Sequence, residues 1–180
     1  MTIKLLSSSG GSVTLDVPVT ASNYNLTVPA ASGTAMVSGN MPAFSAGMTA
    51  GSQSLGANTL VKVQFNSIQF DTASCFDATT NYRFTPNVAG YYQVNCSSTL
   101  ADATNQTTNL LLLLYKNGSS YAYIRSLSVS GNYTFGTFSY VVYMNGTTDY
   151  LEVYAEAISN NGVIYGSGLS IFSAALVRAA

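Results

Sequence analysis

The chain has 180 residues, enough for one compact domain with a core and a short additional segment. Apolar residues make up 47% of it, charged residues only 7%, and the formal net charge is −1. With no basic cluster, the composition argues against nucleic-acid binding, and the absence of histidine removes the usual general base and metal ligand. Since a soluble domain has about 25% charged residues, we expect this chain to bury part of its surface against copies of itself.

The first forty residues form a separate region. Two short patterns of alternating apolar residues predict half-buried strands, separated and flanked by Ser, Gly and Pro. Because two strands alone are not stable in water, we predict that residues 1–40 are an anchoring segment that docks on the main domain, on a neighbouring subunit or on another protein. The candidate docking residues are Val13, Leu15, Val17, Tyr24, Leu26 and Val28.

The beginning of the chain does not resemble an export signal. Only three apolar side chains follow Met1, and Lys4 interrupts them. The longest plain apolar run, residues 110–114, is much too short to span a bilayer. We therefore expect a protein that is made in a cytoplasm, has no signal peptide and does not insert into a membrane.

Residues 41–180 are predicted to form one β-rich domain. No long segment repeats apolar residues at helical spacing, whereas Tyr, Phe, Thr and Val are abundant between frequent turn residues. Asn117-Gly118 and Asn145-Gly146 are turn dipeptides between strand-like runs. Many short strands separated in this way predict an all-β, antiparallel sandwich or jelly roll.

Residues 110–114 are all leucine and therefore lack the alternation of a strand with one wet face. A strand that is apolar on both faces is covered on both faces. Two interpretations follow: this strand, with Leu110, Leu112 and Leu114, forms a seam between subunits, or the strand is wholly buried inside one subunit.

Residues 42–178 resemble the C1q/TNF-like jelly-roll family. The segments that carry the resemblance are 42–46 (PAFSA), 63–65 (VQF), 75–77 (CFD), 82–86 (YRFTP), 90–94 (GYYQV), 115–118 (YKNG), 141–153 and 168–176. Asn145-Gly146 and Asp149 depart from the family pattern. The resemblance implies a tight homotrimer packed through its inner sheets, and binding rather than catalysis. The candidates for the core and the trimer interface are Phe44, Tyr91, Leu110, Leu112, Leu114 and Phe172.

The N-terminal region resembles a different group of proteins. Residues 11–37, from GSVTL through ASNYNLTVPAASGT, are similar to a segment that recurs in structural proteins of tailed phages, especially cyanophages. There it precedes adhesive or decorating domains. The resemblance implies a location on the surface of a virion.

Few residues are available for chemistry. Glu152 and Glu156 share a strand face but lie roughly 13 Å apart, wider than the range of about 5–9.5 Å for a glycosidase pair, and we interpret them as solvated residues. Asp71 and Asp77 are either turn formers or, as in some C1q-like domains, part of a calcium site. Cys75 and Cys96 are interpreted as two buried thiols. No catalytic residue and no cofactor other than calcium is predicted.

The sequence-based hypothesis is a bacteriophage structural protein that forms a homotrimeric knob on the particle. In the first version it is a capsid decoration or cement protein, whose N-terminal segment binds other virion proteins. In the alternative it is the receptor-binding tip of a tail fibre or short spike, which recognises a host surface glycan or protein through exposed tyrosines.

Overall fold

The computed structural model describes residues 3–16, 19–23, 25, 27, 30, 35–37, 39, 41–49, 51–102, 108–128 and 133–180. Within these residues the regular secondary structure is β-strand, paired antiparallel in every sheet. The all-β antiparallel prediction is therefore confirmed. The chain divides into two compact units, residues 1–33 and residues 34–180. The functional boundary predicted at residues 40/41 stays a prediction.

The first unit contains a β-hairpin. Strand β1 (Ile3–Leu6) pairs antiparallel with β2 (Ser12–Leu15), and the turn between them is closed by the amide of Ser7, which donates to the carbonyl of Gly11. The strand expected at Val13 and Leu15 is present. Its partner β1 was not predicted, because Ile3 and Leu5 alternate with Lys4 over a single repeat, after which Leu6 and the serines end the pattern.

The second predicted N-terminal strand is not supported by the described residues of its segment. Asn25 and Thr27 are not in a strand. The candidate docking residues Val17, Tyr24, Leu26 and Val28 lie outside the described residues.

The second unit is a sandwich of two sheets. Its strands are β3 (Ala43–Gly47), β4 (Ser52–Leu55), β5 (Val61–Lys62), β6 (Ser67–Asp71), β7 (Phe76–Asp77), β8 (Arg83–Phe84), β9 (Gly90–Asp102), β10 (Thr108–Lys116), β11 (Ser119–Ser128), β12 (Tyr133–Met144), β13 (Leu151–Ile158), β14 (Gly162–Tyr165) and β15 (Ile171–Ala179). The front sheet runs β6-β3-β15-β9-β12, with β14 and β4 continuing beside the end of β9. The rear sheet runs β7-β8-β13-β10-β11, with β5 also paired to β13.

The core between the two sheets is built around a group of phenylalanines. The Phe44 ring stacks on Phe76 at 4.5 Å and on Phe84 at 4.8 Å between centroids, and meets the edge of Phe172 at 5.1 Å. Such ring pairs stabilise a core by about 0.5–1.5 kcal/mol beyond the area they bury. Phe44 and Phe172 are therefore core residues, as one part of their prediction required.

Tyr91 is not a core residue. Its side chain is 44% exposed, whereas the neighbouring Tyr92 is 0% exposed and donates its hydroxyl to the carbonyl of Val88. Successive side chains of a strand point to opposite faces. Choosing the wrong tyrosine of the pair thus moved the prediction to the other side of the sheet, and Tyr91 remains a candidate only for the interface.

One face of strand β10, which carries the leucine run, is buried in the core of its own subunit. Leu110, Leu112 and Leu114 are fully buried members of the core. Leu110, Leu112 and Leu114 are therefore core residues and not interface residues, because they already contact the opposite sheet of their own chain. For the other face of the strand, the seam between subunits stays a prediction. Leu111 and Leu113 point to the outer side of the rear sheet.

Both predicted turn dipeptides are confirmed. Asn117-Gly118 joins β10 to β11 as a two-residue hairpin loop, with φ of 53° and 77°. Gly146 has φ of 72°, and a Cβ there would lie 2.3 Å from the backbone nitrogen of Ala89. Only glycine fits at this position.

Candidate assembly surfaces

The outer side of the front sheet, here called the front face, carries the side chains of β6, β3, β15, β9 and β12 that point away from the core. On β12 the outward residues alternate with buried ones over the whole strand. The exposed large apolar residues of this face are Phe70, Tyr91, Tyr133, Phe135, Val141, Tyr143 and Val177. Sequence reasoning missed most of them, although residues 141–144 of β12 are all apolar, which indicates apolar side chains on both faces of that part of the strand.

A neutral polar row crosses the middle of the front face. Ser139, Asn95, Ser173 and Ser45 are cross-strand neighbours on β12, β9, β15 and β3. The Ser139 hydroxyl donates to Asn95 Oδ1 at 2.9 Å and accepts from Gln93 Nε2 at 2.8 Å. The row therefore satisfies part of its hydrogen-bonding capacity within the subunit.

Charge is nearly absent from the front face. Among its described side chains only Arg178, at the end of β15, is charged. Burying such a face against protein requires little desolvation of ions, which is the largest cost of removing polar surface from water. The face can therefore be covered completely in an assembly.

The outer side of the rear sheet, here called the rear face, contains a buried ionic cluster. Glu152 is 2% exposed, and its Oε1 lies 2.8 Å from Lys62 Nζ and 2.9 Å from Arg83 Nη2. Tyr154 donates its hydroxyl to Glu152 Oε2 at 3.3 Å, and the Arg83 guanidinium lies 4.1 Å from the centre of the Tyr150 ring. The interpretation of Glu152 as a solvated residue is wrong, because strand pairing places Arg83 directly opposite it.

The cluster does not form a catalytic carboxylate pair. Lys62, Arg83 and Tyr154 occupy both oxygens of Glu152. Burial, followed by the negative charge of Glu152, raises the pKa of Tyr154, which keeps its hydroxyl protonated as a donor. We interpret this ionic cluster, here called the rear-face lock, as a structural feature: Glu152 of β13 holds Arg83 of β8 and Lys62 of β5 through ion pairs.

The two aspartates considered for calcium hold turns instead. Asp71 accepts hydrogen bonds from the amides of Ala73, Cys75 and Phe76, and Asp77 accepts from the amides of three later residues, 79 to 81. The amides of Thr80 and Thr79 lower the pKa of Asp77. These N–H donors stabilise the negative charge of each carboxylate and occupy its oxygens, and the positive ends of N–H dipoles beside the oxygens repel a cation. Calcium binding at these carboxylates has no support in this geometry.

The two cysteines are unpaired and buried. Desolvation raises the pKa of both thiols, that of Cys96 to about 12, and a raised pKa disfavours the reactive thiolate form. Within the described ranges, no group of three or more Asp, Glu or Cys side chains could hold a metal ion. In the same part of the chain, no helix has the length and hydropathy to cross a membrane.

The hairpin of the first unit has one apolar side. Ile3 lies opposite Leu15, and Leu5 lies opposite Val13, so all four side chains share one face of the two-stranded ribbon. Each of them is more than half exposed. The apolar side of the hairpin is the part of the predicted docking segment that the structure describes.

Comparison with solved structures identifies the fold. The globular domain of zebrafish complement 1qA is 16% identical, matches 77% of this chain and 99% of its own, and has a TM-score of 0.56. Eiger TNF from S. frugiperda is 13% identical, with 78% and 93% covered and a TM-score of 0.56. PRD1 vertex protein P5 is 19% identical, with 77% and 96% covered and a TM-score of 0.50.

The chain thus has a C1q/TNF-like jelly-roll fold, as its sequence motifs implied. No protein-family model and no curated protein sequence matches it. At these identities the structural likeness establishes the fold alone.

Proposed function

We propose that this chain is a structural protein of a bacteriophage particle, where it forms a homotrimeric knob that decorates and stabilises the capsid. The observation that carries the proposal is the front face: a wide, aromatic and almost uncharged surface on a fold shared with a phage vertex protein. The N-terminal resemblance to tailed-phage structural proteins supports the same assignment.

The front face supports a closed trimer. In a threefold ring each subunit contributes two different surfaces, so a broad face of one subunit meets another surface of its neighbour. Tyr91, Val141 and Tyr143 form an apolar group at one end of the face, and Phe135 and Tyr133 form another at the opposite end. The neutral polar row lies between them and supplies hydrogen bonds that fix the register of the contact.

The hairpin supports attachment to the particle. Ile3, Leu5, Val13 and Leu15 form one apolar side of a ribbon whose outer edges pair with no further strand among the described residues. An extended segment of another virion protein could add to such an edge while its side chains cover the apolar side. Three hairpins on one trimer would raise the overall affinity through avidity.

A receptor-binding tip is the second candidate. Tyr121 and Tyr123 are exposed on β11, and exposed tyrosines offer contact area at low entropic cost. Tyr133 is exposed but lies in the proposed trimer contact, and Tyr140 and Tyr165 are only partly exposed. In either version the protein works by binding and not by catalysis.

The location can be tested with antibody raised against the purified chain and applied to intact particles. Electron microscopy is expected to show label distributed over the head, and particles without the protein are expected to release their DNA at a lower temperature. Label confined to the tail end would favour the receptor-binding tip. Particles that carry no label would contradict both versions.

A further inference from the structure

We propose that the rear face is a second self-association surface, on which two copies of this chain pair about a twofold axis parallel to β10. The contact is distinct from the proposed trimer contact, because it uses the opposite sheet. It joins trimers to one another if the chain is trimeric, and joins single subunits if it is not.

The evidence is a self-complementary pattern across three neighbouring strands. Strand pairing places β11 on one side of β10 and β13 on the other. The three outward rows, each written from β11 through β10 to β13, are Arg125–Leu111–Glu156, Tyr123–Leu113–Tyr154 and Leu127–Asn109–Ile158.

A twofold axis along β10 exchanges β11 of one copy with β13 of the other. Arg125 of each copy then lies over Glu156 of the second copy, giving two equivalent ion pairs. In the next row Tyr123 lies over Tyr154, and β10 lies over β10. Sheets that pack face to face align within about 30°, so three central strands keep these rows opposed.

Neither Arg125 nor Glu156 makes an ion pair with another side chain in the part of the chain that the structure describes. In the described part of the chain the ion pairs are made by Lys62, Arg83 and Lys116 with Glu152 and Asp149. Arg125 and Glu156 are separated by β10, about 10 Å at two strand spacings. Their opposite charges are thus placed symmetrically about the axis and remain available to a second copy.

The shape of the face agrees with the charge pattern. A depression of ≈ 580 Å³ is lined by Leu111 and Leu113 of β10 and by Ser120, Tyr123 and Arg125 of β11. The twofold axis brings β13 of the second copy over this depression. Tyr154 and Glu156 of that copy are the side chains that would enter it, placing an aromatic ring on the leucines and a carboxylate beside the guanidinium.

The test is a charge exchange measured by sedimentation velocity over a range of concentrations. The wild-type chain is expected to form species of twice its basic mass, or higher multiples, as concentration rises. Arg125→Glu alone and Glu156→Arg alone each place like charges opposite each other and are expected to weaken this association at least about tenfold. The double variant restores opposite charges and is expected to return to near the wild-type association.

Two results would overturn the proposal. One is a wild-type chain whose mass shows no concentration-dependent doubling up to about 1 mM, which would mean a dissociation constant weaker than about 1 mM. The other is a double variant no better than either single variant, while all variants keep the wild-type thermal unfolding midpoint. Failure of the trimer is a separate outcome, since it changes the basic mass at high dilution and leaves the doubling intact.

Discussion

The front and rear faces cover the same core and yet differ in how they handle charge. The front face is neutral, with a hydrogen-bonded polar row between two apolar groups. The rear face keeps a buried carboxylate with two cations and, beside it, an arginine and a glutamate on either side of β10 that form no ion pair with the described side chains. Both faces carry exposed apolar residues, so exposure alone does not distinguish them.

This difference in charge indicates which kind of protein contact each face is suited to. A surface that is permanently covered gains little from ions that must be desolvated, whereas a surface that opens and closes benefits from charges that favour one pairing over others. We therefore expect the proposed trimer contact on the front face to be permanent and the proposed contact on the rear face to be reversible.

The largest expected effect comes from placing a charge on the front face. Val141→Asp puts a carboxylate, without a partner, into the proposed trimer contact, where an uncompensated buried charge costs about 3–5 kcal/mol. We expect single subunits in place of trimers by sedimentation equilibrium. Leu127→Asp on the rear face is the matched control, because Leu127 is 57% exposed and Val141 is 55% exposed. The control is expected to remain trimeric; a trimeric Val141→Asp variant would remove the front face from the interface.

The next effect concerns the rear-face lock. Glu152→Ala leaves Lys62 and Arg83 without their common partner and is expected to lower the free energy of unfolding by about 3 kcal/mol. Glu156→Ala, on the same strand and the same face, is expected to change it by no more than about 0.5 kcal/mol. Urea unfolding of the two variants measures the contrast. Equal losses would mean that the ionic cluster has no special structural role.

Acid is expected to weaken the rear sheet before it affects the front-face contact. Desolvation alone would raise the pKa of Asp149, but hydrogen bonds from Asn117, Lys116 and the amide of Asn145 lower it overall. A carboxyl whose pKa is lower in the folded state stabilises the fold above its unfolded value, near pH 4, and loses this contribution as pH falls further. The thermal midpoint should therefore decline below about pH 4.

Asp149→Asn is the variant that checks this assignment. It is expected to reduce the slope of thermal midpoint against pH in the acid range. The front face has no carboxylate among its described side chains, so the mass of the assembly should stay constant until the chain unfolds. Dissociation of folded trimers at low pH would contradict this expectation.

The smallest effect is expected in the polar row of the front face. Ser139→Ala removes the hydroxyl that joins Gln93 to Asn95. A hydrogen bond of this kind contributes about 0.5–1.5 kcal/mol, and we expect a loss of that order in the trimer. Thr137→Ala, two residues away on the same side of β12, serves as the control. A Ser139→Ala variant as stable as the control would show that the row does not help to hold the contact.

The sequence predicts the buried side of a strand only where one of its two faces is polar. Where one face is polar, as at Leu151 and Val153 on β13, alternation was enough to place the core side. Where both faces are apolar, alternation identifies a strand but does not say which side is inside. This is why the leucines of β10 allow two interpretations. On β9 the pattern is clearer, because Tyr92, Val94 and Cys96 alternate with Gln93 and Asn95 and thereby place Tyr92 inside, and the prediction of Tyr91 as a core residue did not follow that pattern.

The amino-acid sequence by itself determined the all-β class, the jelly-roll resemblance, the two Asn-Gly turns and the expectation that so uncharged a chain self-associates. These follow from local backbone preference and overall composition, which need no knowledge of distant neighbours. Only the tertiary structure decided that Glu152 is a buried lock and that Arg125 and Glu156 lie on either side of one strand. Those relations depend on the pairing of strands far apart in the chain, and cross-strand register is a property of the folded sheet as a whole.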